Sequence, residues 1–179
     1  MGEYRTGIVA DKKSEEINDE VCIALYMLDG KKIYSENTEW EGSMDIGDYI
    51  QYRVDKDNRL LEKPMTVIDI SERSVTGSNP SGVFGTWNRA FYAKVAEKDG
   101  SELKILPFDY EINTNNVQLY SEVLNTSQAN IYVYNDDKRK VIEKGSLRDI
   151  ADYKNSGSGS EVIVVYQGDI AQYILIVKQ

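Results

Sequence analysis

The sequence predicts an all-β, β-dominated chain: two small antiparallel barrel or sandwich modules in tandem, with one short helix in the second. Three observations carry that expectation. Short runs of β-branched and aromatic residues alternate with polar ones at a period of two. Turn-forming residues stand between the runs, and helical patterning is scarce.

The runs fall at residues 8–10, 21–28, 49–54, 65–70, 91–96, 103–106, 131–134, 162–166 and 173–177. Each is short enough for a strand and is rich in Val, Ile and Tyr, which suit a pleated, half-buried surface. The separators are Asp29-Gly30, residues 55–58, Asp99-Gly100, residues 135–137 and residues 167–169. They supply the Gly, Asn and Asp that tolerate left-handed or Asx-type geometry, so hairpins recur along the chain.

The best helix signal lies near residues 146–154. There Ser146 can cap the start, Asp149 stands three residues on, and Leu147, Ile150 and Ala151 are placed to face a core. The run ends before residues 155–159, whose Ser and Gly composition makes a loop. A second, weaker helix is expected over 117–124.

The stretch 71–82 has few large apolar residues and one of the chain's prolines, which marks a linker or long connecting loop. The expected organisation is an N-terminal β module over 1–72, a linker or loop over 73–86, and a C-terminal β module over 87–179. A single continuous β domain is the alternative. Residues 6–13 and 92–99 each read as an opening strand running into a charged turn, and each half ends in a long hairpin, 48–70 and 161–178. Duplication of one module accounts for both likenesses.

Thirty acidic residues against twenty-one basic ones give a net charge of −9, which repels a phosphate backbone and argues against a nucleic-acid partner. The densest basic stretch, Lys138, Arg139 and Lys140, follows Asp136 and Asp137 and reads as the solvated tip of a hairpin. No run approaches the roughly 18 apolar residues of a membrane span. Met1 and Gly2 open the sequence without a secretory leader, so any such signal is expected to lie outside this chain.

Histidine is absent, which removes the commonest general base, the triad imidazole and the usual zinc ligand. The one cysteine, Cys22, sits in an apolar run as a small core residue and allows no disulfide within the chain. A catalytic role would fall to paired carboxylates, as in glycoside hydrolysis. The glycine-containing run 76–82 lacks the Gly-Lys-Ser/Thr ending and following helix of a phosphate loop. Asp55 and Asp57 open like a calcium loop, but Arg59, Leu60 and Thr66 occupy positions where that loop needs a ligand, glycine and glutamate. A hairpin turn is the expected structure there, with a weak calcium site at Asp55 and Asp57 as the alternative and no cofactor expected.

Trp40 and Trp87 stand in polar, loop-like surroundings and are the candidate ligand-stacking residues, the other reading being that each caps the edge of a core. The thirteen tyrosines are mostly placed as strand-packing residues, as at Tyr49, Tyr52, Tyr132 and Tyr134.

The run 131–134, the segment 141–153 with its Gly145-Ser146-Leu147 turn before Asp149 and Ile150, and the closing hairpin 161–177 form a pattern with a known likeness. It resembles β-rich accessory modules adjoining S-layer-homology repeats in cell-surface proteins of clostridia-like Gram-positive bacteria. The hairpin around 47–58 is similar to the companion hairpin of such modules. The likeness covers about half of the chain, and its motifs are structural ones. It implies a non-catalytic accessory module, extracellular or at the cell surface, that acts as a spacer or binds wall polymer, glycan or a partner protein. It carries over no site residues, and the anchoring repeats themselves are not in this sequence. A protein-assembly subunit and a carboxylate-based glycoside-active enzyme remain the other readings; oligomeric state is left open.

Overall fold

A computed structural model describes residues 3–75, 88–137 and 140–178. The chain is β-dominated and forms two sheets. The first contains β1 (Arg5–Ile17), β2 (Glu20–Met27), β3 (Lys32–Ser35), β4 (Tyr49–Tyr52), β5 (Met65–Asp69) and β6 (Ser74–Val75). The second contains β7 (Asn88–Asp99), β8 (Glu102–Pro107), β9 (Glu122–Asn125), β10 (Asn130–Asn135), β11 (Lys140–Lys144), β12 (Glu161–Gln167) and β13 (Ile170–Lys178). Between β8 and β9 lies α1 (Thr114–Tyr120), and α2 (Tyr153–Ser156) precedes β12.

Five strands of each sheet share one topology. The first sheet runs β3-β2-β1-β4-β5, and the second contains β9-β8-β7-β12-β13 in the corresponding order. In each, a three-strand meander is followed by a fourth strand that returns beside the first, which is the Greek key. Each then closes in parallel: Tyr34 of β3 bridges Arg59, and Asn125 of β9 pairs with Ile170 of β13. The result is twice a five-stranded Greek-key barrel, the layout of the OB-fold.

The correspondence extends to single hydrogen bonds. Both first strands break register at the same place in their shared Val-Ala-acid triplet, between Val9 and Asp11 and between Val95 and Glu97. At that bulge Val9 N donates to Asp48 O and Val95 N donates to Ser160 O, each at 3.0 Å. Each acceptor is the residue before the fourth strand and follows a glycine, Gly47 or Gly159. A bulge bends its strand, which is how one long strand can pair with different neighbours at its two ends. Thus residues 5–8 of β1 pair with β4, and residues 9–17 with β2.

Each barrel has its own core. Ile23, Leu25, Ile33, Met44, Ile50 and Tyr52 fill the first, and Val95, Leu103, Ile105, Val162, Val164 and Ile174 are among those filling the second. A third cluster joins the two: Ile8, Tyr49, Val67, Ile68 and Ile70 pack with Ala90, Tyr92, Tyr134, Ile163, Val165 and Leu175. The alternation of β12 explains the sharing. Val162 and Val164 point into the second barrel, while Ile163 and Val165 point outward to the first.

Several sequence expectations change in detail. The strand expected at 8–10 continues through the charged residues to Ile17, because β2 pairs with residues 9–17. Asn18 and Asp19, at φ 52° and 66°, then make the two-residue turn. The helix expected near 146–154 is two separate turns, a 3-10 turn at Leu147–Asp149 and α2. The extended backbone of Ile150 separates them and drops that side chain into the core, 2% exposed, while Ala151 stays exposed. The weak helix expected at 117–124 is α1, displaced towards the N-terminus because Asn113 caps it by accepting from Asn116 N at 2.8 Å. Residues 122–125 are strand. Of the expected linker 73–86, residues 74–75 form β6, and 76–86, with the whole run 76–82, lie outside the described residues.

Candidate functional site

Loops at one end of the second barrel converge on the segment 125–131. The β12–β13 turn is tied to it by Asn125 N donating to Asp169 O at 2.7 Å. The β7–β8 turn is tied by Thr126, whose N and Oγ1 both donate to Ser101 O, at 2.8 and 2.7 Å. In OB-type barrels the loops between strands one and two and between strands four and five are the ones that take oligomeric ligands, and these two turns are their counterparts.

Along this segment the side chains alternate between two concavities. Gln128 and Asn130 line a groove of about 410 Å³ with Gln167, Ile170, Gln172 and Tyr173. Ser127, Ala129 and Ile131 line a second one. The groove continues across Gln172 and Tyr173 into a cleft of about 170 Å³ between the barrels, where Thr6, Leu28, Asp29 and Tyr49 close it.

The groove is polar without being strongly charged. Four primary amides supply both donors and acceptors, and Gln172 Nε2 donates to Gln167 Oε1 at 3.4 Å. Tyr173 is half-buried. Burial pushes its phenol up, with Asp29 and Tyr132 acting in the same direction, so it is a neutral donor at ordinary pH. Asp29 brings the carboxylate of the lining, and it accepts from Lys31 N at 3.0 Å with Lys31 Nζ 3.8 Å away. The Tyr49 hydroxyl, buried in the cleft wall, has no hydrogen bond of good geometry; Thr6 is the polar group that bears on it.

The candidates named from sequence fall elsewhere. Trp40 lies in the 3-10 turn Thr38–Ser43 and packs against the core of the first barrel, half-buried, lining neither concavity. Trp87 is outside the described residues, as are Lys138 and Arg139. Asp55 and Asp57 both face Arg59: Arg59 Nε meets Asp55 Oδ2 at 3.1 Å, and Arg59 Nη2 meets Asp57 Oδ2 at 3.3 Å. Asp55 Oδ1 also accepts from the backbone N of Asp57 and Arg59, so the pair closes a hairpin turn. Among the described residues no group of three or more His, Cys, Asp or Glu could hold a metal ion. None of the helices described is long and apolar enough to cross a membrane.

No family model matches the chain, and no curated protein matches it. Among solved structures, 99% of the chain aligns with 89% of the crystallised tetrameric p202 HIN2, at a TM-score of 0.29 and 8% identity. A likeness at that level says nothing about what this chain does.

Sequence reading missed the groove because its amides come from two separate stretches, 128–130 and 167–172. The local signal was there in part. Gln128, Asn130, Gln167 and Gln172 interrupt a surface otherwise dominated by Asp, Glu and Lys.

Proposed function

We propose that the chain is a non-catalytic accessory module that binds glycan in the amide-lined groove and its interbarrel cleft. The observation that supports this most is the lining: Gln128, Asn130, Gln167 and Gln172 around Tyr173. Planar amides pair with sugar hydroxyls in both senses, and a half-buried tyrosine offers an apolar face and a hydroxyl. Binding is favoured over hydrolysis because glycoside cleavage needs two opposed carboxyl groups, and the carboxylate in this lining is Asp29, already engaged by Lys31. The net charge of −9 weighs against the oligonucleotide alternative that OB-type barrels also serve. Placement at a bacterial cell surface, beside wall polymer, follows from the family resemblance and belongs to the same proposal.

Purified chain is incubated with peptidoglycan, secondary wall polymer and neutral insoluble glycans, then sedimented. Retention of the wild type on one of these, lost in a Gln167→Ala/Gln172→Ala variant of unchanged melting temperature, is the expected result. Retention that the variant keeps, or none on any preparation, overturns the proposal.

A second reading, assembly with other chains, is favoured by one surface feature. Tyr110 and Tyr120 stack at 4.5 Å, and Leu119 beside them is 63% exposed, near the edge formed by β9. A mass that rises with concentration and falls on Leu119→Ser would favour it.

A further inference from the structure

We infer that the second concavity, on the other side of the 127–131 segment, is an oxyanion site that takes a phosphoryl or carboxylate group. It is an open bowl of about 430 Å³, and Lys144 and Arg148 stand in its lining with the hydroxyl residues Ser101, Thr126, Ser127 and Ser146. Among the described residues no carboxylate lines it. In a chain with nine more acidic than basic residues, such a local excess of cations and hydroxyls is opposite to the general surface.

The two cations are free to act. Several lysines and arginines elsewhere are paired with acids, as Lys32 is with Glu15, Arg59 with Glu36 and Lys154 with Glu97. Lys144 and Arg148 are exposed and make no ion pair among the described residues. The acids next to them in sequence are Glu143 and Asp149, and Asp149 Oδ2 accepts from Ser146 N at 2.9 Å, so that carboxylate is held by backbone. Gly145 N donates to Ile131 O at 2.8 Å, and a Cβ there would stand 3.0 Å from Val133 Cγ2 and 3.2 Å from Asp149 Oδ2. The glycine lets this segment lie flat on β10 and sets Lys144 and Ser146 at the rim. A guanidinium offers a fork that matches an oxyanion bidentately and an ammonium a mobile point charge. The Ser101 and Ser146 hydroxyls can add donors, whereas Thr126 Oγ1 already donates to Ser101 O and Ser127 Oγ to Asn125 Oδ1.

Position gives the ligand class. Gln128 and Asn130 face the groove while Ser127 and Ala129 face this bowl, so a chain lying across 127–131 occupies both. Resting on the glycan proposal, this makes the ligand an acidic glycan: neutral sugar in the groove, anionic substituent in the bowl.

The test follows backbone amide resonances of the full chain during titration with inorganic phosphate, then with acetate, at constant ionic strength. Saturable shifts at Ser127, Gly145 and Ser146 are expected with at least one probe, and the stronger probe separates phosphoryl from carboxylate. Lys144→Gln/Arg148→Gln, at two exposed positions, should weaken binding at least about tenfold with melting temperature unchanged. Gln167→Ala/Gln172→Ala should leave phosphate and acetate binding as it was. Linear, unsaturating shifts with both probes, or equal affinity in the charge-neutralised variant, overturn the site. In the sedimentation experiment the charge-neutralised variant should lose retention on wall polymer, and free phosphate or acetate should compete. Retention equal to wild type overturns the acidic-glycan assignment while leaving the anion result standing. Failure of every glycan preparation to retain the chain, with saturable phosphate binding, sinks the glycan reading alone.

Discussion

Asp48 is buried beside β4 and accepts from Ile70 N at 3.0 Å through Oδ1, tying the entry of the fourth strand to the end of the fifth. Its Oδ2 accepts from Asp45 N at 3.3 Å. Burial pushes the carboxyl up to about 7, the bond from Ile70 N opposes that, and the nearby charges of Asp69 and Asp45 add to it. The folded pKa therefore lies above the unfolded one. Between about pH 4 and 7 the folded chain keeps a proton that the unfolded chain has released, so this group's contribution falls as pH rises through that window. The full span is worth on the order of 4 kcal/mol, and the melting temperature should drop by roughly 5 °C or more between pH 5 and 8. Asp48→Asn keeps the acceptor for Ile70 N and removes the charge. Its melting profile should lack the part of the slope that the wild type owes to this carboxyl, and parallel profiles for the two proteins would contradict the assignment.

The glycines before the two fourth strands have equivalent places and different constraints. Gly47 has φ of +94°, and a Cβ there would meet Ile70 Cδ1 at 2.5 Å. At Gly159 the added atom would lie 2.2 Å from the backbone oxygen of Val95, at the bulge of β7. Backbone cannot yield as a side chain end can. Gly159→Ala should cost roughly 3 kcal/mol or more, with Gly47→Ala also destabilising through strain and contact. Gly42→Ala, with nothing within 4 Å of its Cβ position, should stay within about 0.5 kcal/mol of wild type. Urea unfolding of the three variants measures the ranking.

Part of the likeness between the two barrels was legible. The likeness of 6–13 to 92–99 sets Val9 against Val95 and Asp11 against Glu97, which is where both strands bulge. The terminal hairpins 48–70 and 161–178 contain the fourth and fifth strands of each barrel. What stayed hidden was closure. β3 and β9 are four residues long, and their apolar residues are too few to show a period, yet they complete the two barrels. The groove was hidden for a related reason: Gln128 and Asn130 reach Tyr173 through the parallel pairing of β10 with β13, and Asp29 reaches Tyr173 only because the barrels pack together. Trp40, conspicuous in sequence among glutamates, turned inward because the 3-10 turn capped by Asn37 lays it on the first core.

Arg59 decides the chemistry of the 55–58 turn. With its guanidinium on Asp55, Asp57 and Glu36, the carboxylates that could bind calcium already hold a cation. The pKa of Asp55 is held below the usual carboxylate range, chiefly by the backbone N–H of Arg59. Millimolar calcium or chelator should leave the wild-type melting temperature unchanged. Arg59→Gln should create a calcium-dependent rise, because three acids then stand without their counter-charge. A calcium-dependent rise in the wild type would show that the metal can displace the arginine.

The shared cluster predicts that the two barrels unfold as one cooperative unit. Leu175 of β13 is fully buried, yet it packs outward from the second barrel against residues that include Ile8, Tyr49 and Val67 of the first. Leu175→Ala leaves a cavity on that boundary and should cost about 2–5 kcal/mol. Because the cavity is shared, the loss should register in both barrels at once. In a Trp87→Phe background Trp40 fluorescence reports the first barrel, 135 residues away in sequence, and far-ultraviolet circular dichroism reports all strands. Both should move to the same lower denaturant midpoint in the variant, in a single transition. A dichroism midpoint that shifts while the Trp40 midpoint stays would mean that the barrels unfold separately, with the cluster as a docking contact between two independent modules.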